Sequence, residues 1–153
     1  MKDAYFLKFP YAELSSQDGM SSFRICSYEY AYPDADNMFD LDWHKNHLIL
    51  IVPGFKAEIN EVILEGRLIK HYINELQSFS NLHKKKIVFE PMEPHFELIF
   101  KLNRRKKVDI NGCVRYPMNS DTFLHFDFET DLTYVDIFIK GLESILVKYP
   151  IKI

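Results

Sequence analysis

Glycine is scarce and scattered in this chain, five residues in 153 with no two adjacent. That excludes the glycine-rich loops that cradle phosphate groups, whose backbone must fold closely around the ligand. Cysteine is rarer still. Cys26 and Cys113 are too few for a disulfide scaffold, and no Cys/His spacing of a structural zinc site is present. Both read as reduced, partly buried thiols on strands. No Gly-x-Ser-x-Gly elbow marks a serine nucleophile. The longest apolar runs, such as Leu48–Pro53, are far too short to cross a bilayer. Met1–Pro10 has no apolar core of signal-peptide length, so a cytoplasmic protein with no membrane partner is expected. A net charge of −3 gives no general attraction to nucleic acid. Catalytic residues, cofactors and metals are not expected.

What the chain does have is aromatic and apolar bulk. Thirteen Phe and nine Tyr within a 47% apolar composition give a single domain over residues 1–153 a real core. Tyr5, Leu7 and Phe9 alternate as a short edge strand ending before Pro10. A strand from Phe23 to about Tyr32 stops at Pro33. His47–Val52 and Lys56–Leu64 pair as a hairpin across Pro53-Gly54. From about Glu65 to Leu82 the period becomes helical, with Leu68, Ile69, Tyr72, Ile73, Leu76 and Phe79 on one face. The period then returns to two. Ile87 and Phe89, Phe96 to Leu102, Val108 to Val114, and Leu124 to Phe128 read as a four-stranded meander. A second helix, capped at Thr130 or Asp131, runs to about Tyr149, and its Gly141 is expected where the helix packs closely on a sheet. The predicted fold is α+β: a largely antiparallel sheet of six to eight strands under two long amphipathic helices, in two layers.

Charge is distributed in blocks. Tyr28–Trp43 holds five carboxylates, four other aromatic rings and the only tryptophan, with no lysine or arginine. Asp34, Asp36 and Asp40 have no basic neighbour within a helical turn, so their charge faces water or a partner. Aromatic anchors supply affinity at interfaces, and charge supplies approach rate and specificity. The candidate partner-binding residues are therefore Glu29, Tyr30, Tyr32, Asp34, Asp36, Asp40 and Asp42. Lys84–Lys86 and Arg104–Lys107 gather seven bases elsewhere, without the aromatic interleaving of a nucleic-acid site. The histidines make no metal set. His44 and His47 differ in strand parity, and His95 among Glu90, Glu93 and Glu97 sits in a proline-stiffened loop, so all three read as surface or rim residues. His125, Asp127 and Glu129 alternate on one strand as a solvated row.

The order of these pieces resembles the WapI family of bacterial immunity proteins. The family's Gly-Tyr-x-aromatic-Pro strand is matched by Ser27-Tyr28-Glu29-Tyr30-Ala31-Tyr32-Pro33. Its Tyr-Asp-x-Asn-Trp-like motif is matched by Phe39-Asp40-Leu41-Asp42-Trp43. Phe89-Glu90-Pro91 through Phe96-Glu97-Leu98 is similar to its Leu-Glu-Pro and Phe-x-Leu element, and Asp131–Pro150 to its closing helix. Departures are Ser27 for Gly, Asp42 for Asn, and His44 after Trp43.

The resemblance implies an antidote that binds the C-terminal domain of a large secreted toxin, often a nuclease, and blocks it by stoichiometric occlusion. The partner is then a protein, with no direct contact to nucleic acid. Three alternatives differ in what they require: a small-ligand module needs a polar-lined pocket, an assembly subunit uses the Tyr28–Trp43 edge against itself, and an enzyme around His95 and Glu97 needs a metal or a carboxylate with a raised pKa in a cleft.

Overall fold

The computed structural model describes residues 4–153. Its elements, in chain order, are α1 (Ala4–Lys8), β1 (Tyr11–Ser15), β2 (Ser22–Tyr30), α2 (Met38–Leu41), β3 (Trp43–Val52), β4 (Phe55–Glu65), α3 (Gly66–Ser80), β5 (Lys86–Phe89), β6 (Phe96–Leu102), β7 (Val108–Arg115), β8 (Phe123–Thr130) and α4 (Leu132–Lys148). The eight strands are antiparallel, and the expected sheet is divided in two: β1-β2-β3-β4 and β5-β6-β7-β8, each a simple meander. α3 is the connection between them. It packs on α4 and beside β5, while α4 runs along the edge strand β1.

Both sheets and both long helices enclose one core. Phe23 of β2 meets Phe96 of β6 at 5.0 Å between ring centroids, joining the sheets. Phe138 of α4 meets Phe89 at 6.3 Å and Phe100 at 6.2 Å, joining helix to second sheet. The α+β expectation holds, and so does the Pro53-Gly54 hairpin, where Gly54 takes φ +82° and Val52 pairs with Phe55.

The N-terminal expectation does not hold. Residues Ala4–Lys8 are a short helix, and the edge strand begins only after Pro10. Phe6 is buried while Leu7 is 87% exposed. Tyr5, Phe6 and Phe9 form the wall of a second small core with Cys26, Tyr28 and Ile49 on the outer face of the first sheet. Tyr5 and Phe9, four residues apart, lie on one helical face, a spacing that also satisfies strand alternation.

His44 and His47 do occupy opposite faces, but both are buried, as is His95. His47 stacks under Tyr5 at 4.3 Å with its Nε2 3.0 Å from Glu58. His44 lies in the main core with Nδ1 at 2.8 Å from Ser27 Oγ and no partner for Nε2 among the described residues. Next to it, Asn46 fills the irregularity where both ladders shift register. Its amide donates to Cys26 O and Ser27 Oγ and its Oδ1 accepts from the N–H groups of Ile63 and Leu64. The side chain thereby replaces ladder bonds that the bulge removes.

Two stability predictions follow from these contacts. At Gly141 an added Cβ would lie 2.5 Å from both Ala12 Cα and Tyr11 O. Helix propensity alone would favour Gly141→Ala by about 1 kcal/mol, but the obstacle is backbone and cannot rotate away, so overpacking of about 1–3 kcal/mol prevails. Urea denaturation will show a net loss for Gly141→Ala. Burial pulls the His44 imidazole down to about 4, with Asp42 opposing. Its unfolded state binds the extra proton, so this stability is fully present above about pH 6.5 and is lost as pH falls toward 4. The stabilisation measured at pH 5 will be about 2 kcal/mol below that at pH 7 from this group, and His44→Gln will flatten that slope.

Candidate binding surface

Strand β2 carries a bulge at Tyr28: Ser27 pairs with Asn46 and Glu29 with Lys45, leaving Tyr28 unpaired in the ladder. The extra residue reverses strand parity. Tyr28 packs into the outer cluster under α1, and its hydroxyl donates to Asn60 Oδ1 at 2.6 Å. Tyr30 turns to the inner side, edge-on to His44 and Tyr149, and donates its hydroxyl to Pro150 O at 2.5 Å. Beyond Pro33 the chain is irregular until Asn37 caps α2, accepting from Asp40 N at 2.9 Å.

The seven candidate residues separate into different environments. Tyr32, Asp34, Asp36 and Asp40 are exposed. Glu29 is also exposed, but its carboxylate holds Lys45 Nζ at 3.0 Å across the strands. Tyr30 is half-buried and anchors the C-terminal tail. Asp42 is fully buried and does not belong to the surface. Its carboxylate accepts from Arg67 N at 2.8 Å, Arg67 Nη1 at 3.3 Å and Lys152 N at 3.0 Å, and its carbonyl accepts from Gly66 N at 3.0 Å. Asp42 thus does for α3 what the helix's own N-cap, Glu65, does not do with its side chain.

Tyr32, Asp40 and Trp43 line one side of a cleft of about 620 Å³. Glu61 and Val62 of β4 and Glu93 of the loop before β6 line the rest of it. None of the lining residues is basic. Asp40, Glu61 and Glu93 form no ion pair among the described residues; Glu61 accepts only from the Tyr116 hydroxyl, at 3.3 Å. Glu61 and Glu93 are absent from the sequence-based candidate set. The only signal for them is β3–β4 pairing, which sets Glu61 opposite Asn46, and no local pattern marks Glu93.

A second cleft, of about 370 Å³, lies on the outer face of the second sheet, where Glu97, Cys113 and His125 are cross-strand neighbours. The Glu90 carboxyl is raised, first because its protonated form donates a hydrogen bond to Glu97, with burial and charge repulsion from Glu97 adding to it. The Cys113 thiol is raised by burial and reaches only Val114 O, at 3.8 Å. An activated nucleophile needs the opposite shift and a base in contact. His95, the other member of the enzymatic alternative, is buried beside Tyr116 and is not among the residues that line this cleft. Among the described residues no group of three or more His, Cys, Asp or Glu side chains is placed to hold a metal ion.

The basic clusters are partly compensated: Lys84 holds Glu75 at 2.6 Å, and Arg105 pairs with Glu129. The turn after β6 lies roughly 20 Å along the strand from the loop carrying Glu93. The bases of that turn therefore lie at the opposite end of the second sheet from Glu93, where Asp109 and Glu129 also stand. No helix among the described residues is long and apolar enough to cross a membrane.

Comparison with known families matches residues 13–150 to the sequence model of the immunity protein WapI-like family. The chain belongs to that family. No curated protein matches it. Membership supports an immunity role, implies a protein partner and suggests a non-enzymatic capacity. The match begins inside β1, so α1 lies outside the family region, while Cys26, Tyr28 and Ile49, which it packs against, lie inside it.

Structural and surface acids respond differently to substitution. Asp42→Ala leaves the Arg67 charge and two backbone donors without their acceptor and will cost about 3–5 kcal/mol. Asp34→Ala and Asp36→Ala, both exposed, will stay within about 0.5 kcal/mol. Urea denaturation of the three variants separates the classes.

Proposed function

We propose that this chain neutralises the C-terminal toxin domain of a secreted bacterial toxin by stoichiometric occlusion. Its acidic surface from Tyr32 to Asp40 covers a basic face of the toxin, of the kind a nuclease uses to hold nucleic acid. The observation that supports this reading is the coincidence of exposed aromatic rings with exposed carboxylates that form no ion pair among the described residues. Tyr32 is 47% and Phe39 62% exposed, beside Asp34, Asp36 and Asp40. Rings of this kind act as interface anchors, and a single-sign field accelerates encounter with an opposite charge. No cofactor takes part, because occlusion needs only complementary shape and charge.

The test uses the chain as bait against toxin domains from its own organism, followed by neutralisation of the captured domain. Stoichiometric capture of a basic domain, and its inactivation, supports the proposal; failure to inactivate any captured toxin overturns it. With the captured domain in hand, Asp34→Lys, Asp36→Lys and Asp40→Lys combined will lower the association rate at least tenfold at low salt. The melting temperature of the free chain will be nearly unchanged. An unaltered association rate places the contact on another face.

A further inference from the structure

We infer that the cleft beside Trp43 is a receptor for an arginine side chain of the protein partner. The guanidinium seats against Trp43 and Tyr32, with Asp40, Glu61 and Glu93 as its counter-charges. This rests on the immunity reading and names the chemistry of the contact.

Three observations converge on that occupant. The carboxylates come from three separate segments, α2, β4 and the loop before β6, yet line one cleft with no basic residue among them. A cleft lined by carboxylates and by no basic side chain attracts a cation that enters it. Trp43 and Tyr32 give the cleft aromatic walls. A planar, weakly hydrated guanidinium stacks on such rings and binds carboxylates in a fork, which an ammonium does less well. Exposed apolar side chains adjoin the three carboxylates along the chain or through a hydrogen bond: Phe39 next to Asp40, Met92 (72% exposed) next to Glu93, and Tyr116 bonded to Glu61. Apolar groups around a polar centre exclude water from it, the arrangement of an interface hot spot.

The chain already makes this pairing internally. Arg67 places its guanidinium 5.0 Å from the Phe39 ring centre while bonding the Asp42 carboxylate. The cleft repeats the combination of ring and carboxylate in the same segment, with no basic side chain among its lining residues. At about 620 Å³ it has the size of a ligand pocket, room for the backbone that carries the arginine as well as for its side chain.

Trp43 is the only tryptophan, so its fluorescence reports the cleft alone. The probe is a capped Gly-Arg-Gly peptide, compared with the same peptide carrying citrulline, which keeps the shape and loses the charge. The expected result is a saturable fluorescence change with arginine, weakened at least tenfold by citrulline and at least tenfold in the Glu61→Gln/Glu93→Gln variant, whose melting temperature serves as the fold control. No saturable change, or an equal response to citrulline, overturns the inference. The captured toxin domain separates this inference from the reading it rests on. Unchanged toxin affinity in Glu61→Gln/Glu93→Gln, with loss on reversing Asp34, Asp36 and Asp40, overturns the arginine cleft and leaves the immunity proposal standing. Arginine binding with no toxin inactivated overturns the immunity proposal and keeps the cleft.

Discussion

A single buried carboxylate holds three distant parts of this chain together. Asp42 stands where β3 begins and gathers the first turn of α3 through Gly66 and Arg67, and the C-terminal tail through Lys152. A buried charge is costly unless its acceptors are filled, and here donors from two backbone segments and one guanidinium fill them. The requirement extends to neighbours. Gly66 must be glycine, because a Cβ there would lie 2.7 Å from Asp42 Oδ1. Arg67 completes the junction by donating to Lys152 O at 2.7 Å. Helix, strand and tail are therefore positioned by one group rather than by packing alone.

That junction also frames the binding surface. The segment that presents Tyr32, Asp34, Asp36 and Asp40 is fixed at one end by Tyr30, bonded to Pro150, and at the other by Asp42. Held at both ends, it carries its charges on a preorganised loop, and less ordering entropy is lost when a partner binds. The same fixation brings Trp43 alongside β4 and thereby makes the cleft with Glu61. Structure and recognition share sixteen residues, divided by which side of the chain each side chain takes.

Much of the architecture is readable from hydropathy period. Ile69, Ile73, Leu76 and Phe79 follow a helical spacing and are buried on one face of α3; Leu98, Phe100, Val108 and Ile110 alternate and are buried in β6 and β7. Local periodicity fails where two periods coincide, as at Tyr5 and Phe9, which fit a strand and a helical turn equally. It also fails for the histidines. His44 and His47 are polar letters in an apolar strand, and partners remote in sequence, Ser27 and Tyr149 for His44 and Tyr5 and Glu58 for His47, accommodate them.

Composition and period by themselves determined the α+β class, two long helices, the Pro53-Gly54 hairpin and an acidic-aromatic segment between two strands. Those properties are local, and neighbouring residues encode them. Tertiary structure decided which of the acids face outward. The bulge at Tyr28 sends Tyr28 and Tyr30 to opposite faces, contact with Arg67 and Lys152 draws Asp42 inside, and the pairing of β3 with β4 brings Glu61 into the cleft that Trp43 lines. The division of the sheet in two is likewise settled by the packing of α3 and α4. Side-chain fate at a sheet end depends on register and on partners many residues away, and no local pattern carries that information.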